Sequence, residues 1–253
     1  MNTTFGIGNV LGTGFRVWVK NILPFMLITA VVYAPLMLWM VSLVHGEMTA
    51  ERFQHIAWQL IAVTVLASLV NFLVSSALTY GVVMELRGQR ATLGACIATG
   101  LSRLFPALGV GILSALCILG GTLLLFIPGI IVFCMLYVAV PASVLERPGV
   151  LGALRRSREL TRGHKMEIFG LVFLLWLLGF GLTKISQLIV LPNMGDPNHL
   201  EETMRGIATN VYVSFLEQMV IGSISAVMAA VAYYLLRAEK EGTSAAELAA
   251  IFD

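Results

Sequence analysis

The chain has 253 residues, of which 58% are hydrophobic and 12% charged, with a net charge of +2. A soluble domain carries about 25% charged residues, and the apolar residues here fall in blocks too long for the core helices of a globular fold. So weak a net charge gives no footing for nucleic acid, and none is expected as a partner.

The chain opens on an amphipathic stretch, Gly8 to Lys20. Leu11, Phe15, Trp18 and Ile22 recur at helical spacing on one face, while Arg16 and Lys20 point away from it. That is the pattern of a helix lying on anionic headgroups. The first apolar block follows, near Asn21 to Val44. It lacks a small-x-small cleavage site and is expected to remain as an anchor. The second block runs near Ile56 to Met84. Thr92-Leu93-Gly94 then opens a second amphipathic segment, Thr92 to Arg103, with Leu93, Ile97, Gly100 and Leu104 at the same offsets.

Residues 104 to 145 contain no Asp, Glu, Lys or Arg. About 20 apolar residues already cross a bilayer, so this stretch reads as a membrane hairpin. Its arms run near Phe105 to Ile127 and near Ile130 to Leu145. The turn is expected at Pro128-Gly129, because proline disfavours continuing a helix and glycine relieves the backbone. Gly120-Gly121 is the alternative.

Val150-Leu151-Gly152 opens a third amphipathic segment, Gly149 to Thr161, which departs from the other two. Arg155, Arg158 and Arg162 take the apolar offsets, and a weaker stripe of Val150, Leu154, Ser157 and Thr161 lies one residue earlier. The fifth block runs near Ile168 to Leu191 and the sixth near Ile207 to Leu236. Irregular backbone is not tolerated against lipid, so each block is expected to be helical.

The pattern predicts an all-α, polytopic membrane protein with six transmembrane helices as three hairpins, each preceded by an amphipathic interfacial helix. Residues 1–253 form a single membrane domain with repeat units of about 5–86, 90–146 and 148–237, and 238–253 form a short charged tail. In the first two units a proline, Pro24 or Pro106, stands where the span begins. All but Arg52, Lys184 and Arg205 of the 16 Lys and Arg residues fall on one side of this arrangement. The positive-inside rule then predicts a multi-pass protein of the cell inner (cytoplasmic) membrane with both termini cytoplasmic.

Leu123 to Ile131 read Leu-Leu-Leu-Phe-Ile-Pro-Gly-Ile-Ile, followed by Val140-Pro141 and Glu146. The stretch closes Ala-Leu-Arg-Arg-Ser-Arg-Glu-Leu-Thr-Arg-Gly from Ala153 to Gly163. This resembles the YciC-like bacterial membrane proteins and the related membrane domain of glycerophosphodiester phosphodiesterases. The resemblance implies a membrane-embedded accessory module and hands over no catalytic residue. In some relatives a soluble phosphodiesterase domain follows the membrane portion, and with the chain ending at Asp253 none is expected here.

No nucleophile elbow, phosphate loop, dinucleotide fingerprint or HExxH is present, so no catalytic residue, cofactor or metal is assigned and an enzyme is not expected. Cys96, Cys117 and Cys134 show no ligand spacing and read as packing residues. Arg155, Arg156, Arg158, Arg162 and Lys165 form a basic helix suited to lipid headgroups, each contributing about 1 kcal/mol against an anionic leaflet. Ser68, Asn71, Ser75 and Thr79 form a polar stripe inside the second span, read either as interhelical hydrogen bonding or as part of a solute path. Lys184 and Glu217 reach nearly the same depth in the fifth and sixth spans. They are expected to pair or to share a polar outer pocket with Gln187 and Gln218. Gly222, Ala226 and Ala230 form a ridge for a neighbouring helix or a second copy. His45, His55 and His199, with Glu47, Glu51, Asp196, Glu201 and Glu202, read as solvated outer loops in which a divalent-metal site is conceivable.

The leading functional expectation is a non-enzymatic module that associates with membrane lipids or a membrane protein partner, including a homo-oligomer. The alternative is a small-solute transporter or channel with a polar path near Asn71 and the Lys184/Glu217 pair. An intramembrane lipid enzyme is the remote third.

Overall fold

A computed structural model describes residues 5–44, 50–190 and 200–242. Every regular element in it is an α-helix. In chain order they are α1 (Ile7–Lys20), α2 (Ile22–Val44), α3 (Ala50–Leu86), α4 (Leu93–Ser102) and α5 (Leu104–Leu124). Then come α6 (Phe126–Leu136), α7 (Ala139–Leu145), α8 (Gly149–Leu160), α9 (Lys165–Val190) and α10 (Leu200–Glu241). Among the described residues, six stretches are long and apolar enough to cross a membrane: Ile22–Ser42, Ile61–Leu86, Leu104–Leu123, Phe126–Leu145, Lys165–Leu188 and Thr209–Glu241. The short helices α1, α4 and α8 stand before α2, α5 and α9, in the order the sequence predicts.

Four prolines set four of the helix starts by one rule. Pro24, Pro106, Pro128 and Pro141 each occupy the third residue of their helix (α2, α5, α6 and α7). The backbone N–H missing there would have had no intrahelical acceptor, so nothing is lost. The proline ring would clash with the carbonyl four residues back if the preceding helix ran on. The chain accordingly breaks just before each helix, at Asn21, Arg103, Leu125 and Tyr137-Val138. This corrects the expected turn at Pro128-Gly129. The hairpin reverses three residues earlier, at Leu125, whose backbone is extended (φ −167°, ψ 148°). Neither Pro128-Gly129 nor Gly120-Gly121 is the turn. The same rule divides the fourth span into α6 and α7.

The glycine serves a different purpose. A side chain on Gly129 would meet the backbone N and Cα of Thr122 at 3.0 Å, and one on Gly121 would meet the Cα of Gly129 at 3.2 Å. The two arms therefore cross close to backbone contact, an approach that the two glycines open.

α10 is the hub. It packs on α1, α2, α3 and α9, and 61% of its span is buried, against 11% for α5 and for α9. α1 runs antiparallel along the second half of α10. The Phe5 backbone N–H donates to Glu239, Gly14 sits on Met228, and the Trp18 indole N–H donates to Ser223 Oγ at 2.9 Å. Its buried face is Val10, Gly14, Val17 and Trp18. The stripe expected from the sequence is therefore divided: Trp18 turns inward, while Phe15 and Ile22 are exposed. α4 meets α3 through Cys96 and Gly100, with Leu93 and Ile97 partly covered, and Thr92 caps it by accepting from the Ala95 N–H. On α8 the buried face is Ala153, Ser157 and Leu160, with Thr161 just beyond. Ser157 donates to the Met135 carbonyl at 2.8 Å and Thr161 to the same oxygen at 3.3 Å. These hydroxyls satisfy a carbonyl left open where α6 ends.

Candidate functional site

Basic residues of α1, of α8 and of the end of α10 gather at one end of the bundle. Lys20 bonds Glu85 at the end of α3, and Lys240 donates to the Arg162 carbonyl at 2.8 Å. Within this end lies a closed charge network. Arg156 Nε donates to both oxygens of Glu146, at 3.0 and 2.8 Å, and its Nη2 to Glu241. Arg237 Nε donates to Glu241 at 2.8 Å, and the Tyr233 hydroxyl donates to Glu146 at 2.5 Å. Two guanidiniums and two carboxylates thus neutralise one another across α7, α8 and α10. Burial works against the charge on Arg156, but the hydrogen bonds to Glu146 and Glu241 outweigh it and hold the guanidinium above its ordinary pKa.

The five basic residues predicted to touch headgroups therefore separate. Arg156 points inward, its side chain 22% exposed, and is a structural tie. Arg155, Arg158, Arg162 and Lys165 are exposed, with Arg155 opposite Glu159 at 3.8 Å. Exposed Leu151 and Met166 flank them in the chain.

A second polar region lies inside the membrane-spanning part, where α2, α3 and α10 meet. The Tyr33 hydroxyl accepts from Asn71 Nδ2 at 3.3 Å and from Gln218 Nε2 at 3.4 Å. Tyr33 itself is only 4% exposed. This three-helix junction joins two cavities, of about 270 and 450 Å³, both lined by Tyr33, Asn71 and Gln218. Ser75 lines the smaller and Ser68 the larger, so three residues of the predicted stripe border open space. Ser68 returns its hydroxyl to the Thr64 carbonyl. The fourth, Thr79, is fully buried and, like Ser76, its hydroxyl has no hydrogen-bond partner among the described residues. Tyr33 is the member that stripe reasoning missed. The signal was a phenol in the middle of an apolar span, which needs a partner for its hydroxyl.

Lys184 and Glu217 do not pair. Lys184 donates to Gln187 at 3.1 Å and lies 5.5 Å from the centre of the Phe180 ring, whereas Glu217 accepts from Thr183 at 3.2 Å. α9 meets α10 within one residue of the expected register, since Thr183 and not Lys184 reaches Glu217. One residue is about 100° of helix rotation, which turns Lys184 away from its expected partner. Gln218 belongs to the junction with Tyr33 and not to a pocket with Lys184. The side chains of His45, His55 and His199, and of the acidic residues around them, lie outside the described residues. Cys96 and Cys134 are buried, Cys117 is exposed, and all three are free thiols. Burial pushes the Cys96 thiol up, which keeps it protonated and inert.

Together these elements define an all-α, multi-pass membrane protein with one basic end and an uncharged polar junction in its interior. Residues 53–236 match the family described as a domain of unknown function (DUF7847), and the chain belongs to that family. The matched stretch carries Asn71, Gln218, Glu146, Arg156 and Tyr233, while Tyr33, Arg237 and Glu241 lie outside it. No curated protein and no solved structure matches the chain.

Proposed function

We propose that this protein is a non-enzymatic membrane module that holds anionic phospholipid headgroups at its basic end. The single observation that carries the reading is the division within α8 and the start of α9. Arg156 is consumed by the internal network, while Arg155, Arg158, Arg162 and Lys165 stay exposed beside apolar Leu151 and Met166. Cations next to apolar surface suit a headgroup whose acyl chains continue along the protein. The resemblance of Leu123 to Gly163 to YciC-like membrane proteins supports an accessory role, and the basic end is read as cytoplasmic in a bacterial inner membrane.

At about 1 kcal/mol per basic residue, three arginines favour an anionic over a neutral headgroup by on the order of a hundredfold. Native mass spectrometry of the protein in mild detergent with equal phosphatidylglycerol and phosphatidylethanolamine tests this. The expected outcome is preferential retention of phosphatidylglycerol, abolished in the Arg155→Gln/Arg158→Gln/Arg162→Gln variant. Equal retention of phosphatidylglycerol by wild type and the triple variant would overturn the reading.

A further inference from the structure

We infer that the junction of Tyr33, Asn71 and Gln218 is a binding site for a small uncharged polyhydroxy group of glycerol size. The Tyr33 oxygen takes the N–H groups of both amides. Its own O–H and the two amide carbonyls are then left without a protein partner among the described residues, and so are the hydroxyls of Ser75 and Ser225 in the smaller cavity. Within a bilayer, a polar group must be satisfied by protein, water or ligand. A space of about 270 Å³ is far above the roughly 15 Å³ that a single water requires.

The character of the walls selects the ligand. Among the described residues, no Asp, Glu, Lys, Arg or His lines either cavity, and the carboxylate of Glu217, next to Gln218 in the chain, is engaged by Thr183 on the α9 side. An ion entering here would find no countercharge and would pay its full desolvation cost. Donors and acceptors are both on offer, which fits hydroxyl groups, each of which donates and accepts. The rest of the smaller cavity's lining, Thr29 apart, is apolar: Val74, Ile221, Gly222, Ala226 and Ala229. A polyol presents O–H groups and a C–H face together, matching both kinds of lining. The glycerol moiety of a neutral lipid presents the same chemistry as free glycerol, and the larger, more open cavity beside the junction leaves room for its chain.

Saturation-transfer NMR on the full chain in nanodiscs of deuterated lipid tests the inference, with glycerol as the probe. Wild type is expected to transfer saturation to glycerol. Tyr33→Phe, which removes the hub oxygen with almost no change in volume, should lower the transfer at least threefold. Ser225→Leu, which fills the smaller cavity and leaves the junction intact, should abolish it. Displacement of glycerol by a short-chain monoacylglycerol at tenfold lower concentration assigns the site to lipid glycerol. Displacement only at comparable or higher concentration assigns it to the free polyol. Transfer of equal strength in wild type and in both variants would overturn the proposal, as would competition by glycerol 3-phosphate as effective as that by glycerol.

Discussion

α9 and α10 are equally apolar along their spans, yet 11% of one and 61% of the other is buried. α9 turns Phe169, Phe173, Trp176 and Phe180 outward in a ladder of stacked rings with centroids 5.4 to 6.2 Å apart. α10 buries Ser223, Ala226, Ala230 and Ala232 among its neighbours. Lipid tails are as apolar as leucine, so hydropathy drives a helix into the bilayer without saying which side meets protein. Side-chain size says it instead. Small residues let helix backbones approach, and large aromatic ones cover a surface that meets lipid.

The largest effect is expected where α10 emerges at the basic end. Arg156→Ala leaves Glu146 and Glu241 to share Arg237, and should lower stability in detergent by about 3 kcal/mol, the low end for breaking a buried pair because the network is partly exposed. Lys165→Ala, at the exposed start of α9, should change it little, and equal losses would mean that the network is not a tie. The next effect probes the spans themselves. Ala230→Leu forces extra volume into a fully buried position of α10 and should cost about 2 kcal/mol, whereas Leu178→Ala on the outer face of α9 should be nearly neutral. Thermal unfolding monitored by helical circular dichroism separates the two.

This burial contrast also marks what could be read from sequence. The six spans and the three short helices before α2, α5 and α9 were legible, because each is a pattern along one helix; of the ridge Gly222, Ala226 and Ala230, the two alanines are buried while Gly222 borders the smaller cavity. What depended on how helices face each other was not. Lys184 and Glu217 were placed at the right depth and the wrong azimuth. The stripe Leu11, Phe15, Trp18 and Ile22 was divided because α1 found a protein partner for Trp18. Five basic residues looked equivalent until Glu146 and Glu241, distant in sequence, claimed Arg156. The proline rule was present in the sequence, but a proline in a first helical turn marks the start of a helix, not the reversal itself.

A smaller effect tests the crossing of α5 and α6. Gly129→Ala should cost about 1 kcal/mol, since its methyl group meets the Thr122 backbone, while Gly120→Ala meets nothing within 4 Å and should be neutral or slightly stabilising. The smallest is at Lys184. Lys184→Met should change stability by under about 0.5 kcal/mol, and its effect should add to that of Glu217→Gln with no coupling. A measured coupling of about 1 kcal/mol in the double-mutant cycle would restore the pair that the geometry separates.

The topology read from the distribution of Lys and Arg requires the basic end to face the cytoplasm. Single cysteines at Arg158 and at Asn198, in a background with Cys96, Cys117 and Cys134 replaced by alanine, can be probed with an impermeant maleimide in right-side-out membrane vesicles. The expected result is that Asn198→Cys reacts at once and Arg158→Cys only after permeabilisation. Immediate labelling of Arg158→Cys with protection of Asn198→Cys would contradict it.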